Sequence, residues 1–186
     1  MNHHHGHEAV NLTGSLVADH EVILTALERL EARLGEMSGR GALDVETINK
    51  FLVFARSFID RCHHGKEERC LFPCMERRGI PREGGPIGVM LYEHESGRRL
   101  VREIDELLKS YRMGDTPPEA VFAKCEEYIH LLRQHISKEN SVLFTMGESV
   151  VVQDDVVEVN ECYEVVEGRE MGHEAHEELK KLAEEL

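Results

Sequence analysis

Apolar side chains recur along this chain at helical spacing in four long blocks, separated by short breaks that carry glycine, proline or a capping residue. Leu16, His20, Ile23, Leu27, Leu30 and Leu34 mark the first block, which predicts a helix from about Leu12 to Glu36. Gly39 and Gly41 interrupt it, and Asp44 is placed to cap the next. The second helix is expected from Val45 to Arg78, with Ile48, Leu52, Ala55, Ile59, His63 and Glu67 on one face. The third opens at Pro86, which the first helical turn tolerates. It runs to about Met113 with Ile87, Met90, Leu91, His94, Val101, Ile104 and Leu108 inward. Gly114-Asp115-Thr116-Pro117-Pro118 is a turn signal. The fourth helix follows to about Phe144, with Val121, Cys125, Tyr128, Leu132, His135, Glu139 and Val142 inward. This pattern predicts an all-α fold: an up-down-up-down four-helix bundle built from two similar helical hairpins.

The last forty residues differ in character. Their valines would suit a strand, but they are laced with Glu and Asp, and Asp154 or Asp155 can cap a fifth helix carrying Cys162 and Tyr163 on its packed face. Gly172 separates it from a final short helix, His173 to Leu186. His173-Glu174-Ala175-His176 is one residue short of the zinc-protease spacing and is expected on a surface helix. The expected organisation is a tag-like or disordered His-rich tail over residues 1–11, a bundle over 12–146 and a helical extension over 147–186.

Two of the inward stripes contain groups that do not belong in a hydrocarbon core. The run His63-His64-Gly65-Lys66-Glu67-Glu68-Arg69-Cys70-Leu71-Phe72 is echoed by His135-Ile136-Ser137-Lys138-Glu139-Asn140-Ser141-Val142-Leu143-Phe144. Both read His-x-x-Lys-Glu-x-x-x-Leu-Phe, and residues four apart on a helix share a face. A His-Glu pair, His20-Glu21 or His94-Glu95, precedes each copy by a similar length of chain. Unpaired charge on an apolar stripe costs several kcal/mol, roughly, so these groups are expected to be paired or bound to metal. His20, His63, Glu67, His94, His135 and Glu139 are the candidate ligands, enough for two ions. His63 is preferred to His64 because it continues the Ile59 register and because position 136, the counterpart of 64, is Ile. Tyr128 is expected as a core tyrosine, and His130 falls off the stripe.

Composition narrows the partners. The formal charge of −14 argues against nucleic acid and anionic membranes. No apolar run approaches a membrane span and no signal peptide is visible, so a cytoplasmic protein is expected. Five cysteines cannot all pair internally, and buried free thiols are expected. Imidazole and carboxylate donors without thiolate favour iron, then manganese. Six ligands are too many for one tetrahedral zinc.

These motifs resemble the hemerythrin-like family, the HHE cation-binding domain. The matching residues are His20-Glu21, the run from His63 to Glu68 leading into Leu71-Phe72-Pro73, His94-Glu95, and His135-x-x-x-Glu139 leading into Leu143-Phe144. The resemblance implies a non-haem di-iron centre between four helices, with an oxo or hydroxo bridge and with manganese or zinc as substitutes. Carried over by position, His20 and His63 would bind one iron, His94 and His135 the other, and Glu67 and Glu139 would bridge. Oxygen carriers of the family place a further His four residues after the one matching His94, where this chain has Arg98. The symmetric set of four His and two Glu is instead similar to members linked to iron-sulfur cluster repair and nitric oxide stress. The expected partner is a small diatomic ligand or peroxide, met in sensing, scavenging or stress response. The alternative is an iron-responsive binding module whose metal occupancy controls a protein partner.

Overall fold

The computed structural model describes residues 11–186, so positions 1–10 of the expected His-rich tail lie outside the described residues. Six helices account for nearly all of the rest. Helix α1 is Gly14–Arg40, and Gly41 ends it at φ 66°, a left-handed conformation that glycine adopts without steric cost. Asp44 caps α2 by accepting from the Thr47 N–H at 3.1 Å. Helix α2 spans 45–77 as one continuous rod of changing pitch: α-helical over Val45–Phe54, π-helical over Ala55–His64 and Glu67–Leu71, and α-helical again over Phe72–Arg77. Helix α3 is Pro86–Met113. Helix α4 spans 118–150, with a π-helical turn at Glu139–Leu143 between Pro118–Lys138 and Phe144–Val150.

Helix α1 packs on α2 and α4, and α3 packs on the same two, so the four form a helical bundle. The predicted stripes of α1 and α2 are buried throughout. One prediction fails in an informative way. Val142 is 48% exposed, and Leu143 and Phe144 are buried in its place. The π-turn that starts at Glu139 inserts extra arc into the helix, so the inward phase moves on by one residue. Helix α4 also runs past the expected stop at Phe144, to Val150.

The core is in two parts. One apolar cluster contains Ile23, Leu27, Phe58, Ile59, Ile104, Leu132 and Ile136. The other contains Leu16, Leu71, Phe72, Met90, Leu143 and Phe144. Each fully buried side chain of this kind contributes about 1.5–3 kcal/mol. Between the clusters every helix of the bundle carries its candidate ligands, so a polar layer is held between two hydrophobic ones.

The C-terminal segment closes over the bundle as α5 (Gln153–Glu170) and α6 (His173–Glu185). Asp155 reaches back to the Val152 N–H at 2.9 Å and also takes the Arg78 guanidinium, fixing the start of α5. Val156, Val159, Tyr163 and Val166 are buried against the second cluster, and the Tyr163 hydroxyl donates to the Leu12 carbonyl at 3.0 Å. Helix α6 lies on α1 and α2. The expectation of free thiols is corrected at one pair: Cys70 on α2 is disulfide-bonded to Cys162 on α5. That pairing needed the fold of the extension to become visible. Cys62, Cys74 and Cys125 are free and buried. Among the described residues no helix is long and apolar enough to cross a membrane.

The disulfide closes a loop with a sequence separation of 92 residues. Cys162→Ser should therefore lower the unfolding free energy by about 2–4 kcal/mol in oxidising buffer and by far less in reductant. Denaturation curves under both conditions check this, and equal stabilities in oxidising buffer would show that the cross-link does not form.

Candidate metal centre

The four-residue His–Glu spacing on α2 and α4 sets the polar layer. His63 and Glu67, four apart, turn inward together, with Nε2 of His63 3.4 Å from Oε1 of Glu67. His135 and Glu139 do the same on α4, at 2.9 Å. His20 comes from α1 and His94 from α3. All six side chains are at most 1% exposed.

The two carboxylates lie across the middle. Glu67 turns Oε1 toward His63 and Oε2 toward His94, at 3.4 and 3.1 Å. Glu139 turns Oε2 toward His20 and Oε1 toward His135, both at 2.9 Å. Each carboxylate thus reaches from the His20–His63 side to the His94–His135 side. Two overlapping donor clusters result: His20, His63, Glu67 and Glu139, and His64, Glu67, His94 and His135, each with ligand atoms within 4.8 Å of one another.

The outer nitrogens decide the state of the inner ones. The Nδ1 of His63 donates to Asp19 at 3.1 Å, that of His20 to Asn140 at 2.8 Å, that of His94 to Glu68 at 2.8 Å and that of His135 to Glu93 at 3.0 Å. These partners fix the tautomer and turn all four Nε2 atoms inward as lone pairs. The Nε2 atoms of His94 and His135 then face each other at 3.2 Å. Two lone pairs at that separation repel unless a cation lies between them. Both oxygens of Glu67, Oε1 of Glu139 and Nε2 of His63 are buried with no hydrogen-bond donor or acceptor in suitable geometry. A buried carboxylate without partners is among the costliest groups a fold can hold. The donor set fits metal ions.

The outer shell repeats like the inner one. The acidic residue just before each lone His, Asp19 or Glu93, holds the imidazole of a His-x-x-Lys-Glu copy, and the lysine of that copy, Lys66 or Lys138, pairs with the same carboxylate. The residue just after each motif glutamate, Glu68 or Asn140, holds the lone His of its neighbour. Sequence reasoning stopped at the ligands and missed this ring. Its signal was present as Asp19-His20 beside Glu93-His94 and as Glu67-Glu68 beside Glu139-Asn140.

Other motif residues lie in or around this layer. His64, set aside on register, is 3% exposed and belongs to the second cluster. His63 and His64 are consecutive, about 100° apart on an α-helix, yet both are buried within the π-helical stretch Ala55–His64. Arg98 lies outside the layer and pairs with Asp60, Glu95 and Glu68, bracing the carboxylate that holds His94. His130 is exposed, as its position off the stripe predicted. His173 is exposed too, whereas His176 is half-buried against Phe58 and lies near Asp19 and Glu167. Cys62, Glu167 and His176 form a third donor group, but Lys66 already supplies the cation there, 2.7 Å from Glu167 and 2.6 Å from Asp19.

Without metal, protons take its place. Burial opposes charge on His135, but the Glu139 carboxylate outweighs it and pushes the imidazole up to about 9. His94 and His20 are raised too, against the same burial, by the hydrogen bonds they donate to Glu139 and by the other acidic groups around them. Burial would raise Glu139, yet the charge of His135 and hydrogen bonds from three imidazoles hold it well below the usual carboxylate range. His64 is driven well below the ordinary imidazole value by burial and then by its charged neighbours His94, His135 and His63.

These features define a helical bundle with a buried histidine–carboxylate centre suited to metal. The chain belongs to the hemerythrin HHE cation-binding domain family, whose pattern matches residues 11–147. Over 90 residues it is 37% identical to the iron-sulfur cluster repair protein YtfE of Dickeya chrysanthemi, covering 44% of this chain and 38% of that protein. The match to the same-named protein of Edwardsiella ictaluri is 38% over 89 residues, covering 44% and 38%. To that of Salmonella schwarzengrund it is 39% over 90 residues, covering 44% and 39%. The matched stretch thus spans about two fifths of the length of these relatives. No solved structure matches the chain.

Because the folded-state value of His135 lies above the ordinary 6.5, its pairing with Glu139 stabilises the metal-free fold fully below pH 6.5 and is lost as pH rises through about 9. The metal-free protein should lose stability across that window, by up to about 1.4 kcal/mol per pH unit for each such group. Metal should abolish the fall, because bound imidazoles are already deprotonated. Denaturant titrations of both forms at several pH values check this, and a flat metal-free profile would contradict the pairing.

Proposed function

We propose that this chain is a di-iron protein in which His20 and His63 hold one ion, His94 and His135 the other, and Glu67 and Glu139 bridge them. The bundle is taken as up-down-up-down over 12–146, with 147–186 as its extension. The observation that carries this reading is the pair of buried carboxylates, each reaching both histidine pairs and with three of their four oxygens lacking a hydrogen-bond donor, beneath imidazoles whose Nδ1 atoms are committed outward. Iron in this layer supplies one-electron chemistry toward oxygen, peroxide or nitric oxide. The protein's residues bind and orient the ions, and the apolar clusters above and below exclude bulk water. Asp19, Glu68 and Glu93 accept the Nδ1 protons and so aim the Nε2 atoms at the ions, and these three outer anions offset the ions' positive charge.

Partial identity to iron-sulfur cluster repair proteins supports a role in oxidative or nitrosative stress, with damaged clusters or nitric oxide as the object. A second reading, an iron-responsive module, is favoured by one feature. Asp19, which holds His63, is joined through Lys66 to Glu167 on α5 and lies near His176 on α6. Metal at His63 would then bear on how the extension is held, through the same carboxylate. Metal-dependent exposure of the extension to protease, with no redox change, would favour that reading.

Glu67→Gln and Glu139→Gln should each lower occupancy of both ions together, because each removes half of a shared bridge. Elemental analysis after anaerobic reconstitution measures this, and loss of one ion with the other intact would rule out bridging. The reduced, iron-loaded protein mixed with oxygen should go to the ferric state within minutes. A persistent colour that reverses on removing oxygen would instead point to oxygen storage.

A further inference from the structure

The duplication of the polar layer is broken at one buried position. Where α4 has Ile136, α2 has His64, and both are 3% exposed. A hydrocarbon in that place needs no partner, but an imidazole does. Buried histidines in protein cores have their ring nitrogens bonded. Nδ1 of His64 has none. The nearest carboxylate oxygen, Oδ1 of Asp60, is 3.6 Å away, beyond bonding range, and already accepts from Arg98 at 2.7 Å. The ring is instead stacked on His94 with centroids 3.8 Å apart and stands edge-on to His135 at 5.6 Å. This brings a ring nitrogen within 4.8 Å of donor atoms on Glu67, His94 and His135.

We infer that His64 is a seventh protein ligand, which gives the ion beside His94 and His135 a third imidazole and leaves the ion beside His20 and His63 with two. The inference rests on the paired-ion reading above and adds an asymmetry to it. Ile136 offers no donor at the equivalent place, so the two positions differ in kind. One is rich in nitrogen, and the other keeps coordination sites free of protein. His64 also lines a cavity of about 200 Å³ with Asp60, Gly97, Arg98, Val101 and Tyr128.

Two measurements test this. X-ray absorption of the wild-type protein loaded with two irons counts imidazoles by their multiple scattering. Five shared over two ions are expected, and four would overturn the inference whatever any variant does. Anaerobic titration of the metal-free protein with Co(II) compares wild type with His64→Gln, which keeps side-chain length. Loss of even an outer partner commonly weakens a site tenfold to a hundredfold, so loss of a direct donor should weaken one of the two ions by at least roughly tenfold and spare the other. Two ions bound with unchanged affinities in both proteins would overturn the seventh ligand and leave the paired centre standing. A single ion in wild type, weakened by His64→Gln, would overturn the pair and keep His64 as a ligand. A single ion unaffected by the substitution would overturn both.

Discussion

The constraint on which this structure depends is the burial of two carboxylates, three of whose four oxygens have no hydrogen bond to keep them there. Glu67 and Glu139 are fully enclosed, and the atoms nearest their oxygens are imidazole nitrogens whose own protons are spent on the outer shell. Moving an ionised carboxylate into such a place costs several kcal/mol, roughly, even after relaxation. Metal ions or protons must offset that cost. The raised histidines show what protons do, and the four inward Nε2 atoms show why metal does it better. One ion satisfies several donors at once, whereas each proton satisfies a single pair.

The rest of the fold serves that layer. Two apolar clusters hold it from either side, the four-residue spacing of each His-x-x-x-Glu copy points both residues inward, and the π-turns that begin at Glu67 and Glu139 shift the helical phase beyond them. A π-turn sacrifices regular hydrogen bonding, and such turns are found mostly where function requires them. Both copies have one starting at the glutamate. The outer ring then adds rigidity. Arg98, Lys66 and Lys138 each neutralise a carboxylate that holds a histidine, so the negative charge around the centre is held in position and not released to solvent.

Much of this was legible in the sequence because duplication is a strong signal. The four stripes, the Asp44 cap, the glycine breaks and the six inward His and Glu residues all follow from spacing and repetition. What was not legible depended on departures from ideal helical phase or on contacts distant in sequence. The π-turn at Glu139 moved the buried face from Val142 to Leu143, and His64, which α-helical register had turned away, is buried within the π-helical stretch Ala55–His64. Asp19 and Glu93 were hidden because a single acidic residue beside a histidine is unremarkable until the two copies are laid together. The Cys70–Cys162 bond could not be deduced from five cysteines, since pairing is set by where α5 lies.

The central claim is that the paired carboxylates are shared by two metal ions. Mössbauer spectroscopy of protein reconstituted anaerobically with ⁵⁷Fe and then oxidised, combined with elemental analysis, tests it most directly. The account predicts two irons per chain, antiferromagnetically coupled to a diamagnetic ground state. A single, magnetically isolated high-spin iron, or zinc in its place after purification from iron-replete cells, would contradict it.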